Sequence, residues 1–247
     1  MTSLARAELT LLVRSKGTLF AAVIIPFILP LSVHSATKTM DLESAGLSVG
    51  TFLLPSAVGM ALVFAVYMAL TAIYVARREE LVLKRLRVGE LRDLEILGGS
   101  ALPAVTIALL QTVLLTVGFY ALLDVEAPGA PHLAVLGLLL GIVLCAAAGA
   151  VTAAFSQSVE SAQVTVMPMM MVSLLGSGIT FPLELLPDNL ARIGELLPLS
   201  GPITLLRGGM TGDLSGGETL TALVTAGVWT ALSLYGVRRW FRWEPRR

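Results

Sequence analysis

Long apolar runs without a charged residue constrain this fold more than any other feature. Thr51–Val75 and Ser100–Leu123 contain no Asp, Glu, Lys or Arg. A helix rises 1.5 Å per residue, so either run can cross a hydrocarbon core of ~30 Å. Only 14% of the 247 residues are charged, whereas a soluble domain has roughly 25%. No segment alternates apolar and polar residues as a barrel strand would. We therefore predict an all-α integral membrane protein.

Six transmembrane helices in a single domain, residues 1–247, account for the apolar runs. The predicted spans are 19–36, 51–75, 100–123, 133–155, 162–181 and 219–237. An amphipathic pattern over residues 1–16 predicts an interfacial helix before the first span. A cleavable signal sequence over Leu19–Leu31 is the alternative for the first span, although its small-residue cleavage pattern is poor.

The distribution of basic residues predicts the orientation. Fourteen of the 17 Lys and Arg residues fall in segments that the six-span arrangement places on one side. Lys38, Arg192 and Arg207 fall on the other side. Basic residues near span ends stay on the inside. We therefore expect a multi-pass protein of the cell membrane with residues 76–99 and both termini in the cytoplasm.

The polar stretch 76–99 has a helical period of its own. Val82, Leu83 and Leu86 share one face, and Glu80, Lys84 and Arg87 share the opposite face. Such a helix lies flat with its apolar side covered. It can rest on lipid headgroups or dock into a groove on a cytoplasmic partner. Periodicity alone leaves both interpretations open.

Residues 182–209 are too apolar for an ordinary loop and too rich in proline for a span. Leu190, Ile193 and Leu197 continue an apolar helical stripe, and Asp188 is placed to cap its start. We predict two short re-entrant helices that dip into the outer leaflet, where irregular backbone must pack on protein or face water. They form either a lid that seals the bundle or an exit gate.

Several kinds of chemistry are missing from the sequence. No ionisable residue falls in the central part of any predicted span, which argues against an ion-coupled carrier. The chain has no His-Glu-x-x-His or Gly-x-Ser-x-Gly motif and no Gly-x-x-x-x-Gly-Lys phosphate loop. We therefore expect no catalytic, metal-binding or cofactor-binding residue in this chain. If it transports, the energy comes from another chain.

Two segments together resemble the membrane-spanning permease of type-2 ABC exporters, which serve drugs, polyketides, lipids and polysaccharides. The family's first cytoplasmic loop usually reads Arg-Glu, Gly-Thr-Leu, then Lys-Arg-Leu-Arg. The matching residues here are Arg78, Glu79, Leu83, Lys84, Arg85, Leu86 and Arg87. Leu81 and Val82 stand where Gly-Thr is usual. The family's outer helices are matched by Phe181, Pro182, Leu186, Pro187, Leu196, Leu197, Pro198, Leu206, Arg207 and Gly208.

The resemblance implies a half-transporter that exports a hydrophobic or amphiphilic substrate, as in multidrug efflux. A separate nucleotide-binding ATPase subunit, which carries ATP and Mg²⁺, would dock on a coupling helix between spans two and three. The docking residues would be Glu79, Glu80, Leu83, Lys84, Arg85, Leu86 and Arg87. The outer gate would include Phe181, Pro182, Leu186, Pro187, Leu197, Pro198 and Arg207. A second permease subunit, identical or a paralogue, would complete the dimer in the lipid bilayer.

Nothing in the sequence indicates a nucleic-acid partner, and the substrate and its contact residues stay unknown. A membrane scaffold that docks a soluble partner without transport is the alternative function. A passive or ion-driven carrier is a third, and it would move cargo without a partner.

Overall fold

The computed structural model of the chain describes residues 47–88, 92–122, 127–241 and 243. Within these residues the regular structure is entirely helical. The helices are α1 (Val49–Glu79), α2 (Val82–Val88), α3 (Asp93–Leu122), α4 (Pro131–Phe155), α5 (Val159–Gly176), α6 (Asp188–Glu195), α7 (Ser200–Thr211) and α8 (Gly216–Trp240). A single 3₁₀ turn, Leu183–Leu185, precedes α6.

Five of these helices, α1, α3, α4, α5 and α8, are long and apolar enough to cross a membrane. They contain most of the last five predicted spans. The predicted first span, 19–36, and the interfacial helix, 1–16, lie outside the described residues. The all-helical, multi-pass membrane architecture that the apolar runs predict is therefore confirmed.

Two helix ends differ from the predicted boundaries of the stretch 76–99. Helix α1 continues through Arg77 and Arg78 to Glu79, and α3 begins at Asp93. The acidic side chains of Asp93 and Glu95 in the first turn of α3 favour a start there, because the N-terminal end of a helix carries partial positive charge. The stretch therefore holds the end of one long helix, a short helix and the start of the next.

Helix α1 is not a regular α-helix along its length. Residues Leu62–Met68 form a π-helical segment. Within this segment, the hydroxyl of Tyr67 lies 3.1 Å from the hydroxyl of Thr152 on α4. The same hydroxyl donates to the carbonyl of Val166, where α5 is interrupted. Because π-helical insertions are rare and often found at functional sites, this joint between α1, α4 and α5 marks a place where α1 can bend.

Small residues on α4 let two other helices approach closely. A Cβ on Gly137 would lie 2.7 Å from the Pro202 carbonyl oxygen of α7. A Cβ on Gly149 would lie 3.0 Å from the Tyr67 carbonyl oxygen of α1. The stripe of small residues on α4 therefore packs inside the bundle of this one chain.

Helix α7 lies inside the bundle, alongside the first half of α4. Pro202, near its start, is close to Gly141, which is ten residues and so ~15 Å along α4 from Pro131. Gly209, near its end, is close to Ala134. Nine of its twelve residues are buried, among them Arg207. Helix α7 thus runs from about the middle of α4 back to the beginning of α4.

Candidate functional site

Helix α2 lies at one end of the bundle, which we call the Arg78 end. Here α1, α4 and α8 end and α3 and α5 begin. Leu83, on the inner face of α2, is fully buried, whereas Lys84, Arg85 and Arg87 are exposed. Glu79 and Glu80, at the end of α1, are also exposed, and Leu86 is partly buried. The short helix therefore presents a basic face outward and fixes its apolar face to the bundle.

The link from α1 to α2 bends at Leu81. Leu81 has a φ of 59°, the one positive φ of a non-glycine residue in the described part of the chain. A side chain in this left-handed region is strained, and glycine is the residue that adopts it at least cost. This is the position at which the resembling family usually has glycine.

A row of aromatic side chains joins α2 to the end of α8. The guanidinium of Arg87 lies 4.9 Å from the ring centre of Trp243 and forms a 3.2 Å ion pair with Asp93. The Trp243 ring meets Phe241 edge-on at 5.1 Å, and Phe241 meets Tyr74 of α1 in the same way at 6.2 Å. Through these contacts α2 is joined to α1 and to the segment that follows α8.

Arg78 is a functional candidate, and the sequence analysis did not predict that its side chain is buried. Its side chain is 1% exposed. The guanidinium donates to the Ala153 carbonyl at 2.8 Å and to the Ser156 carbonyl. These carbonyls belong to the end of α4, where the last backbone acceptors of a helix have no partner within it. Arg78 thus ties the end of α1 to the end of α4.

The predicted gate residues lie around α6 and α7 at the opposite end, which we call the Arg207 end. Pro182 and Pro198 are buried, Phe181 and Pro187 are exposed, and Leu186 and Leu197 are intermediate. Leu197 packs against Gly176 at the end of α5. The predicted cap of α6 is wrong, since Pro187 occupies the N-cap position and Asp188 is the first helical residue.

Arg207 holds the segment after α5 against α7. It is 7% exposed, and its guanidinium donates to Glu184 at 3.0 and 3.1 Å and to the Gly178 carbonyl at 2.7 Å. It also lies 5.5 Å from the ring centre of Phe52 on α1. The charged group is thus paired and hydrogen-bonded, as a buried cation requires. Glu184 is a partner that the sequence motifs did not single out.

A cavity of about 510 Å³ opens beside this ion pair. Its walls come from the segment after α5, from α6 and α7, and from the first turns of α8. Half of the lining is polar: Ser177, Glu184, Glu195, Thr204, Arg207, Ser215, Glu218 and Thr221. The Arg207 end therefore offers a polar recess within an otherwise apolar bundle.

Across the described residues, no group of three or more His, Cys, Asp or Glu side chains is arranged to hold a metal ion. Cys145 is fully buried in α4. The two ends carry a basic face and a polar recess, separated by apolar helices.

The family model described as ABC-2 family transporter protein matches residues 16–237. The chain belongs to the ABC-2 transporter family. Membership in the ABC-2 family implies association with the membrane and with an ABC ATPase subunit. None of the curated proteins compared gives a significant sequence match.

For an ABC-2 transporter membrane domain, the short basic helix α2 and the paired Arg207 are the two features that sequence motifs point to. The structure adds Glu184 and Glu195, and it shows that Arg78, which the family motif includes, is buried. From the sequence, Glu195 could be placed only on the polar side of α6. Periodicity shows which face of a helix a residue occupies, but not where the helix lies in the bundle.

Proposed function

We propose that this chain is the permease half of an ABC exporter that moves a hydrophobic or amphiphilic substrate out of the cell. ATP would be hydrolysed on a separate subunit that carries both the nucleotide and Mg²⁺. The chain itself would hold no cofactor and catalyse no reaction. The alternative, a scaffold that docks a soluble partner without transport, shares the docking helix and differs in the absence of flux.

The main support for this proposal is helix α2. Leu83 is fully buried and anchors the helix, and the exposed Lys84, Arg85 and Arg87 present positive charge for a partner. Coupling requires that a push on α2 reach the membrane helices. Arg87 contacts Trp243, just after the end of α8. Leu81, a strained residue, joins α2 to α1. Movement of a docked ATPase would therefore tilt α1 and α8 together.

The transport route that we propose passes between α1 and α5. These helices meet at the bond from Tyr67 to Val166, at the π-helical segment of α1. One side of α5 is left uncovered by its own chain, with Val164 67%, Met167 51% and Leu175 55% exposed. A second permease subunit packed on this face would enclose the route. The helices α6 and α7 would then act as re-entrant helices that gate its outer end.

The docking step can be tested by purification from native membranes in mild detergent. We expect mass spectrometry to identify a co-purifying ATPase that has a Gly-x-x-x-x-Gly-Lys-Ser/Thr motif. The double variant Lys84→Glu with Arg85→Glu should lose this ATPase. Arg192→Glu, an exposed change on α6 at the Arg207 end, should retain it. Equal recovery in both variants would rule out docking on α2.

The transport step needs inverted vesicles that contain the chain and its ATPase. We expect ATP-dependent accumulation of a lipophilic dye inside the vesicles, because export from the cell corresponds to uptake by inverted vesicles. A matched ATPase variant without its phosphate-loop lysine should give no accumulation. Intact docking without any flux of a panel of lipophilic dyes would favour the scaffold.

A further inference from the structure

The charged side chain of Glu195 lies some distance along the bundle from the Arg207 end. The indole nitrogen of Trp229 donates to the carbonyl of Leu196, the next residue, at 2.8 Å. Trp229 is thirteen residues along α8 from Gly216, a distance of ~20 Å in a helix. A hydrocarbon core is ~30 Å thick. The turn between α6 and α7, with Glu195 at its start, therefore lies beside the middle of α8, a helix long and apolar enough to cross a membrane.

An ionisable side chain at such a depth is costly unless it faces water or an opposite charge, and it marks a functional site by default. Glu195 lines the cavity of about 510 Å³ described above. Ala191, one helical turn earlier on α6, lines it too, whereas Arg192 does not. The polar side of α6 therefore faces the cavity, and its basic residue faces elsewhere.

The charges that line the cavity do not balance. Three carboxylates, Glu184, Glu195 and Glu218, and one guanidinium, Arg207, give the lining a net charge of −2. Arg207 is already paired with Glu184. Glu218 accepts from the backbone and the hydroxyl of Ser215 through one oxygen. Glu218 also lies in the first turn of α8, whose partial positive charge offsets its own. Glu195 is therefore the carboxylate of the lining that has no counter-charge there.

The walls also contain hydrogen-bonding groups that are not used. The Nε of Arg207 and the Oγ of Ser177 have no hydrogen-bond partner among the residues that the structure describes. Both side chains line the cavity and both are more than nine-tenths buried. Buried polar atoms are normally satisfied, by water or a ligand if not by protein. Leu183, Ile203 and Leu214 supply an apolar wall opposite these polar groups.

We propose that this cavity binds the ammonium group of an amphiphilic amine, with Glu195 as its counter-charge. The apolar wall would take part of the hydrophobic body, and the hydroxyls would take its polar substituents. A bare metal ion does not fit, since the described carboxylates form no metal-holding cluster. As a statement about substrate class, the inference rests on the proposed export function. As a statement about binding, it concerns this chain alone.

Equilibrium binding tests the inference with the full-length chain in nanodiscs of zwitterionic lipid. The probes are dansylcadaverine, which carries a primary ammonium, and N-butyl dansylamide, which is uncharged. We expect saturable binding of the charged probe only. Glu195→Gln should weaken it at least tenfold. Glu218→Gln, where glutamine can still serve the helix cap, should weaken it less. Asp213→Asn, an exposed change at the same end outside the lining, should leave the affinity within twofold.

A labelling measurement keeps the inference testable if a glutamine variant binds too weakly to measure. Cys145 is the one cysteine of the chain and is fully buried. A Thr221→Cys change therefore places a single reactive thiol in the cavity wall. A trimethylammonium-ethyl thiosulfonate should react at least tenfold faster than its sulfonate counterpart, after correction for their rates with free cysteine. Adding Glu195→Gln should lower this ratio.

Equal binding of the two dansyl probes, or a ratio that Glu195→Gln leaves unchanged, would show that the cavity holds water only and would overturn the inference. Neither measurement involves ATP or an ATPase. A chain that binds the charged probe but recruits no ATPase would therefore contradict the proposed function and leave the cation site standing.

Discussion

The guanidinium of Arg78 donates a 2.8 Å hydrogen bond to the carbonyl of Ala153, 75 residues away in the chain. A second bond reaches the Ser156 carbonyl. Both acceptors lie where α4 has run out of its own backbone donors. The contact therefore ties the end of α1 to the end of α4.

We predict that Arg78→Ala destabilises the chain by about 3 kcal/mol, because it leaves buried carbonyls without a donor. The apparent Tm should fall by roughly 5–10 °C. Cys145 provides the readout, since a thiol-reactive dye reaches this buried side chain only on unfolding. Arg85→Ala, an exposed change on α2, should shift Tm by less than about 2 °C. A similar shift for both variants would contradict the role of Arg78.

Long uncharged runs were enough to predict the helices because a membrane leaves few other structures open to such a sequence. The helix at α2 followed from its period, with Leu83 buried and Lys84 exposed. The burial of charged side chains was not predicted in the same way. Arg78 reads as an inside marker next to a span, yet its side chain is buried because two carbonyls distant in sequence accept from it.

The sequence also did not predict where α6 lies along the bundle. The pattern of α6 separates Leu190 and Ile193, which are exposed apolar residues, from Glu195 on its polar side. It does not reveal that the chain turns at Leu196 beside Trp229, about halfway along α8. The absence of charge from the predicted spans therefore describes the long helices only, since the short helix α6 brings Glu195 beside the middle of α8.

Gly137 tests the close approach of α7 to α4. A methyl group there would lie 2.7 Å from the Pro202 carbonyl oxygen and 2.9 Å from the Leu206 nitrogen. We expect Gly137→Ala to destabilise by about 1–3 kcal/mol, as overpacking does when backbone atoms cannot yield. Gly227 on α8 has no atom within 4 Å of the same position, so Gly227→Ala should be neutral or slightly stabilising. The dye assay on Cys145 compares the two, and equal Tm values would argue against tight packing at Gly137.

Leu81 tests the strained turn before α2. With φ at 59°, we expect Leu81→Gly to be more stable than Leu81→Ala by about 1 kcal/mol, because alanine retains the backbone strain and glycine removes it. The order should reverse inside α2, where Lys84→Gly should be less stable than Lys84→Ala by about 1 kcal/mol. Thermal unfolding of the four variants gives both differences. The same order at both positions would mean that Leu81 is not held in the left-handed region.

Trp243 tests whether the end of α8 holds α2 in place. The ring lies 4.9 Å from the Arg87 guanidinium, a contact worth about 0.5–1 kcal/mol at an exposed site. Trp243→Ala should therefore speed hydrogen exchange of the α2 amides by about two- to fivefold. Trp240→Ala provides the matched control, because Trp240 packs instead on Phe155 and Tyr235. Exchange in α2 should be unchanged in that variant. If both changes speed exchange in α2 equally, the effect comes from a general loosening of α8 and the contact with Arg87 does not transmit it.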